Sequence, residues 1–339
     1  MKLICGPMAT ISHPAFRIMI EKFGGCDEYF TEMINAGSLL NDGPFEKFYI
    51  DPCPAPQKIV WQLTGTDSER MTRAAQRLVE LPGLGLDINM GCSAPDIYKT
   101  GAGIGWMLRP LEECSQMVRS VGEVVSSYNR RIGEGESPKR FSVKLRLGDD
   151  NFTDEGFFSF CDMLVENGVR LLSLHPRTKK EKLSRPPRYS YCQKLAERYK
   201  AAGVEVYLNG NIKDQTSFNY ALSSCPSVSG FMISRAAVQK PWIFRQLKEK
   251  EPLEQLDDEI NMEELCLEYI DLIEQYQPKE FWKTRLQRFY SYFAMNFKFG
   301  HYAQTQFINA SDNEDLRKRI KDFFEKCPEE RIKKIFTFK

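Results

Sequence analysis

Through residue 247, short apolar runs alternate with longer stretches whose apolar residues recur at helical spacing. Runs at 3–8, 28–31, 58–63, 85–89, 141–146, 170–175, 204–209 and 230–234 read as eight strands. Helices are predicted at 14–23, 68–81, from after Pro110 to about Tyr128, at 155–167 and 190–202, and from about Pro241. Met71, Ala74, Ala75 and Leu78 share one face of the second helix, with Ser68 as its N-cap, while Gly168 and Gly203 stand where C-cap glycines end helices. Residues 133–140 and the basic 179–188 segment are too polar for core and read as loops. Eight strands alternating with helices predict an α/β fold, a (β/α)8 TIM barrel; a doubly wound sheet is disfavoured because no G-x-G-x-x-G follows the first strand.

After Leu247 the pattern changes. Residues 249–259 are acidic and linker-like, and from Met262 onward the periodicity is purely helical, with many aromatics and bases. The expected organisation is a barrel at 1–247, a linker at 248–259 and a smaller all-helical domain at 260–339.

Composition narrows the class without naming a function. At 42% hydrophobic and 27% charged residues the chain reads as soluble and globular. The apolar start at Leu3-Ile4-Cys5 is too short for a signal peptide and no later run would span a membrane, so a cytoplasmic location is expected; a monomer is the expected state. Ten cysteines, scattered from Cys5 to Cys327 without a C-x-x-C, fit free thiols, with neither disulfides nor a metal site. A net charge of +1 leaves any nucleic-acid partner to a local basic patch.

In a barrel, chemistry gathers at the C-terminal ends of the strands. Those ends carry Pro7 and Met8, Gln62, Asn89 and Cys92, Lys144 and Arg146, His175 and Arg177, Asn209 with Gly210 and Asn211, and Ser234 with Arg235. Each alone has a structural explanation: a snorkelling lysine, a core histidine, an Asn-Gly turn, a surface arginine. Together they exceed what a structural barrel needs. Asp87-x-Asn89-x-Gly91-Cys92 concentrates polar groups on one tight turn, and the glycine-spaced segment 101–105 behind it is expected to wrap a ligand.

The same residues resemble the tRNA-dihydrouridine synthases, flavin enzymes that reduce uridine in RNA. The resemblance rests on Pro7-Met-Ala9, Phe16-Arg17, Thr31-Glu-Met33, Gln62-Leu63, the Asp87-to-Cys92 motif, Lys144-Leu-Arg146, His175-x-Arg177-Thr178, Asn209-Gly-Asn-Ile212 and Ser234-Arg235, in the family order. It implies FMN held by Pro7, Met8, Gln62, Lys144, His175, Asn209, Gly210, Asn211, Ser234 and Arg235, with NADPH as reductant. It implies a substrate base met by Asn89, Arg146, His175 and Arg177, Cys92 as general acid, and a C-terminal helical domain gripping tRNA. Lys179, Lys180, Lys182, Arg185 and Arg188 could extend that basic surface, as could Lys283, Arg285, Arg288 and 317–319. Departures from the family pattern are Ser93 for proline, Pro176 for glycine, and Ser234 for the glycine before Arg235, the last able to crowd a phosphate site. Three alternatives stay open: a flavin barrel dehydrogenase for a free small molecule of the dihydroorotate or dihydropyrimidine kind, action on ribosomal RNA, and an RNA-binding protein with a decayed site.

Overall fold

The computed structural model of the chain describes residues 1–181, 184–249 and 259–335. Its main sheet contains β1 (Lys2–Cys5), β2 (Glu28–Phe30), the two-residue β3 (Ile34–Asn35), β4 (Ile59–Thr64), β5 (Gly85–Met90), β6 (Arg140–Arg146), β7 (Leu171–His175), β8 (Glu205–Asn209) and β9 (Gly230–Ile233). All pairings in it are parallel. β1 pairs with both β2 and β9, and β2 with β4, so every strand but β3 joins a closed eight-stranded barrel. This is the TIM barrel that the alternating pattern predicts.

Around it lie α1 (Pro14–Glu21), α2 (Ala36–Leu40), α3 (Glu46–Tyr49), α4 (Ser68–Leu78), α5 (Pro95–Tyr98), α6 (Leu111–Arg131), α7 (Asp154–Glu166), α8 (Ser190–Arg198), α9 (Gln215–Ser224), α10 (Arg235–Gln239) and α11 (Ile243–Lys248). Two details differ from expectation. The N-cap of α4 is Asp67, whose extended backbone leaves its carboxylate free to accept from Arg70 N–H at 2.8 Å, while Ser68 is already helical. A short unanticipated helix begins at Arg235, straight after β9, and the helix expected from about Pro241 follows it as α11.

Strand period decides what the barrel encloses. On β6, Arg140, Ser142, Lys144 and Arg146 share one face, and Arg140 reaches Glu28 of the non-adjacent β2 at 3.0 Å, so that face is the interior. Ile4, Phe30, Val60, Leu171, Tyr207 and Met232 fill the middle as an apolar cluster of their own. The outward faces of the strands pack on the helices in a second, larger core. The charged interior side chains other than Asp87 thus lie towards the two ends.

The tail holds β10 (Glu259–Asn261), α12 (Met262–Tyr276), α13 (Lys279–Phe293), α14 (Gly300–Ile308), α15 (Asn313–Lys326) and β11 (Ile332–Lys334). It is not purely helical: β10 and β11 pair antiparallel, Ile260 opposite Lys333, so the returning chain satisfies the extended backbone that leads into α12. Residues 250–258 of the expected linker lie outside the described residues. The tail docks on the barrel through Trp242 against Phe293 and through Arg285 on α13, which meets Glu32 at 2.6 Å in a buried ion pair. Glu32 also accepts from Thr10 N–H at 2.6 Å, so the latch is tied to the first strand-end loop.

Candidate active site

The C-terminal ends of the strands open into two adjoining cavities. The smaller, about 160 Å³, is bounded by Gln62, Asn89, Gly91 and Cys92 with Ala9 and Met33. The larger, about 580 Å³, is bounded by residues 209–213, 232–236, Gln239 and Tyr292. Pro7, Lys144, Arg146 and His175 line both and so mark where they meet. No lining residue is a carboxylate, whereas Lys144, Arg146, Lys213 and Arg235 are cations.

The Cys92 turn is built from beneath. Ser142 Oγ donates to Asp87 at 2.6 Å and Gln62 Nε2 donates to the other carboxylate oxygen at 2.8 Å. Gln62 Oε1 accepts from Asn89 Nδ2 at 2.8 Å, and Asn89 Oδ1 accepts from Cys92 N–H at 2.9 Å. This relay fixes both amide orientations and hands them to the backbone of Cys92. Burial pushes the Asp87 carboxyl up to about 6, against the hydrogen bonds from Ser142 and Gln62 and the nearby positive charges. From above, Gly103 holds a positive φ of 58°, and a Cβ there would fall 2.6 Å from the Cys92 carbonyl oxygen. Ile104 N–H donates to that oxygen at 3.0 Å. The glycine-spaced segment therefore braces the Cys92 turn and lines neither cavity, contrary to the expectation that it wraps a ligand.

Lys144 stands beside Asn89 in the β5–β6 register. Its ammonium has no hydrogen-bond or ion-pair partner among the described residues. Burial, with Arg146 adding to it, brings the lysine down to about 8. Arg146 donates from Nε to the Gly91 carbonyl at 3.0 Å, clasping the Cys92 loop. His175 is fixed as neutral imidazole: Arg177 Nη1, always a donor, lies 3.0 Å from Nε2, leaving the proton on Nδ1, which faces Asn209 Oδ1 at 3.4 Å. Burial and the surrounding cations hold His175 down at about 2, so it is no proton donor at neutral pH.

Most of the expected site residues thus converge, and two do not line either cavity. Arg177 is buried behind His175, bonded also to Asn211 Oδ1 at 3.1 Å and to the Arg185 carbonyl at 2.5 Å, and so acts as a support. Met8 packs against the edge of the outer core, its N–H donating to Ser12 Oγ at 2.9 Å. Ser234 lines the larger cavity, and its Oγ lies over Gly6, 2.4 Å from where a Cβ at residue 6 would stand. Ala9, Met33, Lys213, Gln239 and Tyr292 were not anticipated as lining residues. Lys213 directly follows Asn209-Gly-Asn-Ile212 and could have been added on adjacency; no local signal points to Tyr292, which arrives from the tail.

The basic segments are less free than their composition suggests. Lys179 pairs with Asp149 at 2.8 Å and sits 4.1 Å above the Tyr98 ring, and Arg188 pairs with Glu181. Lys182 lies outside the described residues. Arg285 is buried in the latch to Glu32, and Arg317 is held by Asp271 and Glu274, each at 2.7 Å. Lys283 and Arg288 remain exposed on α13.

Residues 3–327, nearly the whole chain, match the family model described as dihydrouridine synthase (Dus). The chain belongs to the dihydrouridine synthase family. It is therefore an oxidoreductase. The chain is 28% identical over 284 residues to a probable tRNA-dihydrouridine synthase of Aquifex aeolicus (strain VF5), covering 82% of each chain. It is 26% identical over 326 residues to probable tRNA-dihydrouridine synthase 2 of Bacillus subtilis (strain 168), covering 94% of this chain and 93% of that one. Among solved structures, the old yellow enzyme homologue of Zymomonas mobilis overlays 83% of this chain and 94% of its own with a TM-score of 0.49 at 12% identity. Among the described residues no helix is long and apolar enough to cross a membrane, and no cluster of histidines, cysteines and acids could hold a metal ion.

Proposed function

We propose that this enzyme uses FMN and NADPH to reduce uridine in tRNA to 5,6-dihydrouridine, with Cys92 as general acid. The observation that carries the reading is the joining of a small pocket bearing a partly exposed thiol to a larger one lined by cations and no carboxylate. FMN fits these residues on chemistry and size. Its phosphate and the anionic edge of its reduced ring call for positive charge, and Lys144, Lys213 and Arg235 have no anionic partner within ion-pair distance among the described residues. A volume of about 580 Å³ is in the range of cofactor pockets. Lys144 at the junction suits the ring edge, and Arg235 with Lys213 the phosphate.

When bound, FMN supplies the hydride for C6 of the uracil ring. The chain supplies the rest. Asn89 and the Nη groups of Arg146 offer hydrogen bonds to the base, and Cys92 Sγ holds the proton that C5 requires. Arg177 and Asn209 engage both ring nitrogens of His175 and so keep it neutral and oriented as a fixed wall of the site. Residues 1–247 form the catalytic unit and 260–339 the RNA-binding unit of a cytoplasmic monomer, with exposed Lys283 and Arg288 better placed for phosphates than the paired Arg317. The test is to purify the full chain and look for a flavin spectrum. FMN should be released on denaturation, Lys144→Ala should lose most of it, and NADPH with unmodified tRNA should give dihydrouridine. A folded Lys144→Ala protein with wild-type FMN affinity, or turnover of free dihydropyrimidines without turnover of tRNA, would overturn the reading.

A further inference from the structure

The larger cavity is not a property of the barrel alone. Its outer part, away from the residues it shares with the Cys92 pocket, is bounded by Lys213 after β8, by Arg235 and Gln239 on α10, and by Tyr292 on α13 of the tail. Tyr292 is there because α13 has two working faces. Arg285, Leu286, Phe289, Tyr290 and Phe293 are its buried side, on which Arg285 meets Glu32 and Phe293 meets Trp242 of the barrel while Phe289 stacks on Tyr269 of α12. Arg288 and Tyr292, four residues apart, form a neighbouring stripe, with the Arg288 guanidinium 5.7 Å from the Tyr292 ring. α10 packs directly on α13, and Asn296, just beyond α13, donates to the Gln239 carbonyl. The short helix that begins with Arg235 is therefore held between the cavity and the tail.

We infer that the helical tail completes the flavin site through Tyr292, so that cofactor binding and docking of the tail on the barrel are thermodynamically coupled. The inference rests on the reading of the larger cavity as the flavin site. It goes beyond that reading in giving the tail a part in holding the cofactor. Tyr292 offers a ring face and a hydroxyl donor beside two cations that have no carboxylate partner, an arrangement that suits the phosphate-bearing chain of the flavin more than its apolar ring. If FMN binds better when α13 is docked, FMN must by reciprocity strengthen the docking by the same factor.

The experiment uses the full chain, stripped of flavin and titrated with FMN by fluorescence quenching. Tyr292→Ala is expected to raise the dissociation constant about tenfold, the scale of one lost aromatic and polar contact. Tyr292→Phe, which keeps the packing, should show the share due to the hydroxyl. A second readout needs no variant. Adding FMN to the wild-type apoprotein should slow amide exchange in α13 around 288–293 and in α10, while α15 on the far side of the tail stays unchanged. Unaltered exchange in α10 and α13 together with a Tyr292→Ala affinity within about twofold of wild type would overturn the inference. Lys144→Ala, measured beside it, separates the failures: if it still loses flavin, only the tail's part is wrong, and if it too binds normally, the flavin reading itself falls.

Discussion

The two ends of this barrel use charge in opposite ways. At the N-terminal ends of the strands, Glu28 accepts from Lys2 at 3.1 Å, from Arg140 at 3.0 Å and from Tyr207 at 2.8 Å, and Glu205 pairs with the same two cations at 3.2 Å each. Two carboxylates answer two cations, and the network is closed. At the C-terminal ends, Lys144, Arg146, Lys213 and Arg235 face cavities without a carboxylate, and the buried Asp87 beneath them already accepts from Ser142 and Gln62. The apolar layer of Ile4, Phe30, Val60, Leu171, Tyr207 and Met232 separates the two. A closed network stabilises a fold, whereas an open one holds charge in readiness for a ligand of the opposite sign. β6 shows the division within one strand, because Arg140 and Arg146 sit on the same face and serve opposite purposes.

The largest expected effect lies at the open end. Cys92→Ala should keep FMN and NADPH-dependent flavin reduction and lower tRNA reduction about a hundredfold to ten-thousandfold, the usual range for a lost general acid. Rapid-mixing measurements that follow flavin reduction and dihydrouridine formation separately would read the two steps. Dihydrouridine formation within about threefold of wild type, with chemistry limiting, would remove Cys92 from the mechanism. The other partly exposed cysteine, Cys53, is the natural control.

Breaking the closed end should do the converse. Glu28 is buried, and Arg140 and Lys2 depend on it. Glu28→Gln keeps the shape, leaves Arg140 short of a counter-charge, and should cost about 3–5 kcal/mol of stability. The urea midpoint would fall while the FMN dissociation constant stays put. A loss of FMN affinity at unchanged stability would mean that the ends are not independent and that the comparison fails.

How much of this division could be read beforehand depends on distance along the chain. The alternation in Phe141-Ser-Val-Lys-Leu-Arg146 is a local pattern, and it correctly brought Lys144 and Arg146 to a strand end, whereas Arg140, read as the end of a polar loop, is the first residue of the strand. It could not say that Arg140 closes a network with Glu28, whose strand is not even a neighbour of β6. The Cys92 turn was legible because Asn89, Gly91 and Cys92 are contiguous, but the support under it joins Gln62, Asp87 and Ser142 from three strands. The glycine segment misled for a related reason: glycine marks close approach, and here the approaching group is the Cys92 carbonyl rather than a ligand. Arg285 looked like an RNA contact by its company on the helix, and only the folded chain brings Glu32 to it. Short-range chemistry was readable, and partners across the fold were not.

The smallest effect is a slope, and it tests whether the open end is held in readiness by charge. Burial and Arg146 bring free Lys144 down to about 8, below its ordinary value of 10.5. An anionic flavin favours the ammonium, so binding must raise that value. FMN affinity should then be flat below about pH 8 and weaken above it, by at most about tenfold per pH unit, until the lysine of the bound form also titrates. Stability of the apoprotein should move the other way. The unfolded chain keeps its lysine protonated up to its higher, ordinary value, so between about pH 8 and 10.5 it holds more protons than the folded chain, and the Lys144 contribution to stability rises with pH across that window. Lys144→Met should flatten both slopes, which separates them from titration of the flavin itself. Wild-type and Lys144→Met proteins with identical affinity profiles from pH 6 to 10 would show that the ammonium at the junction of the two cavities does not act on the bound anion. The lack of a partner for Lys144 would then be incidental rather than the feature that sets this end of the barrel apart from the other.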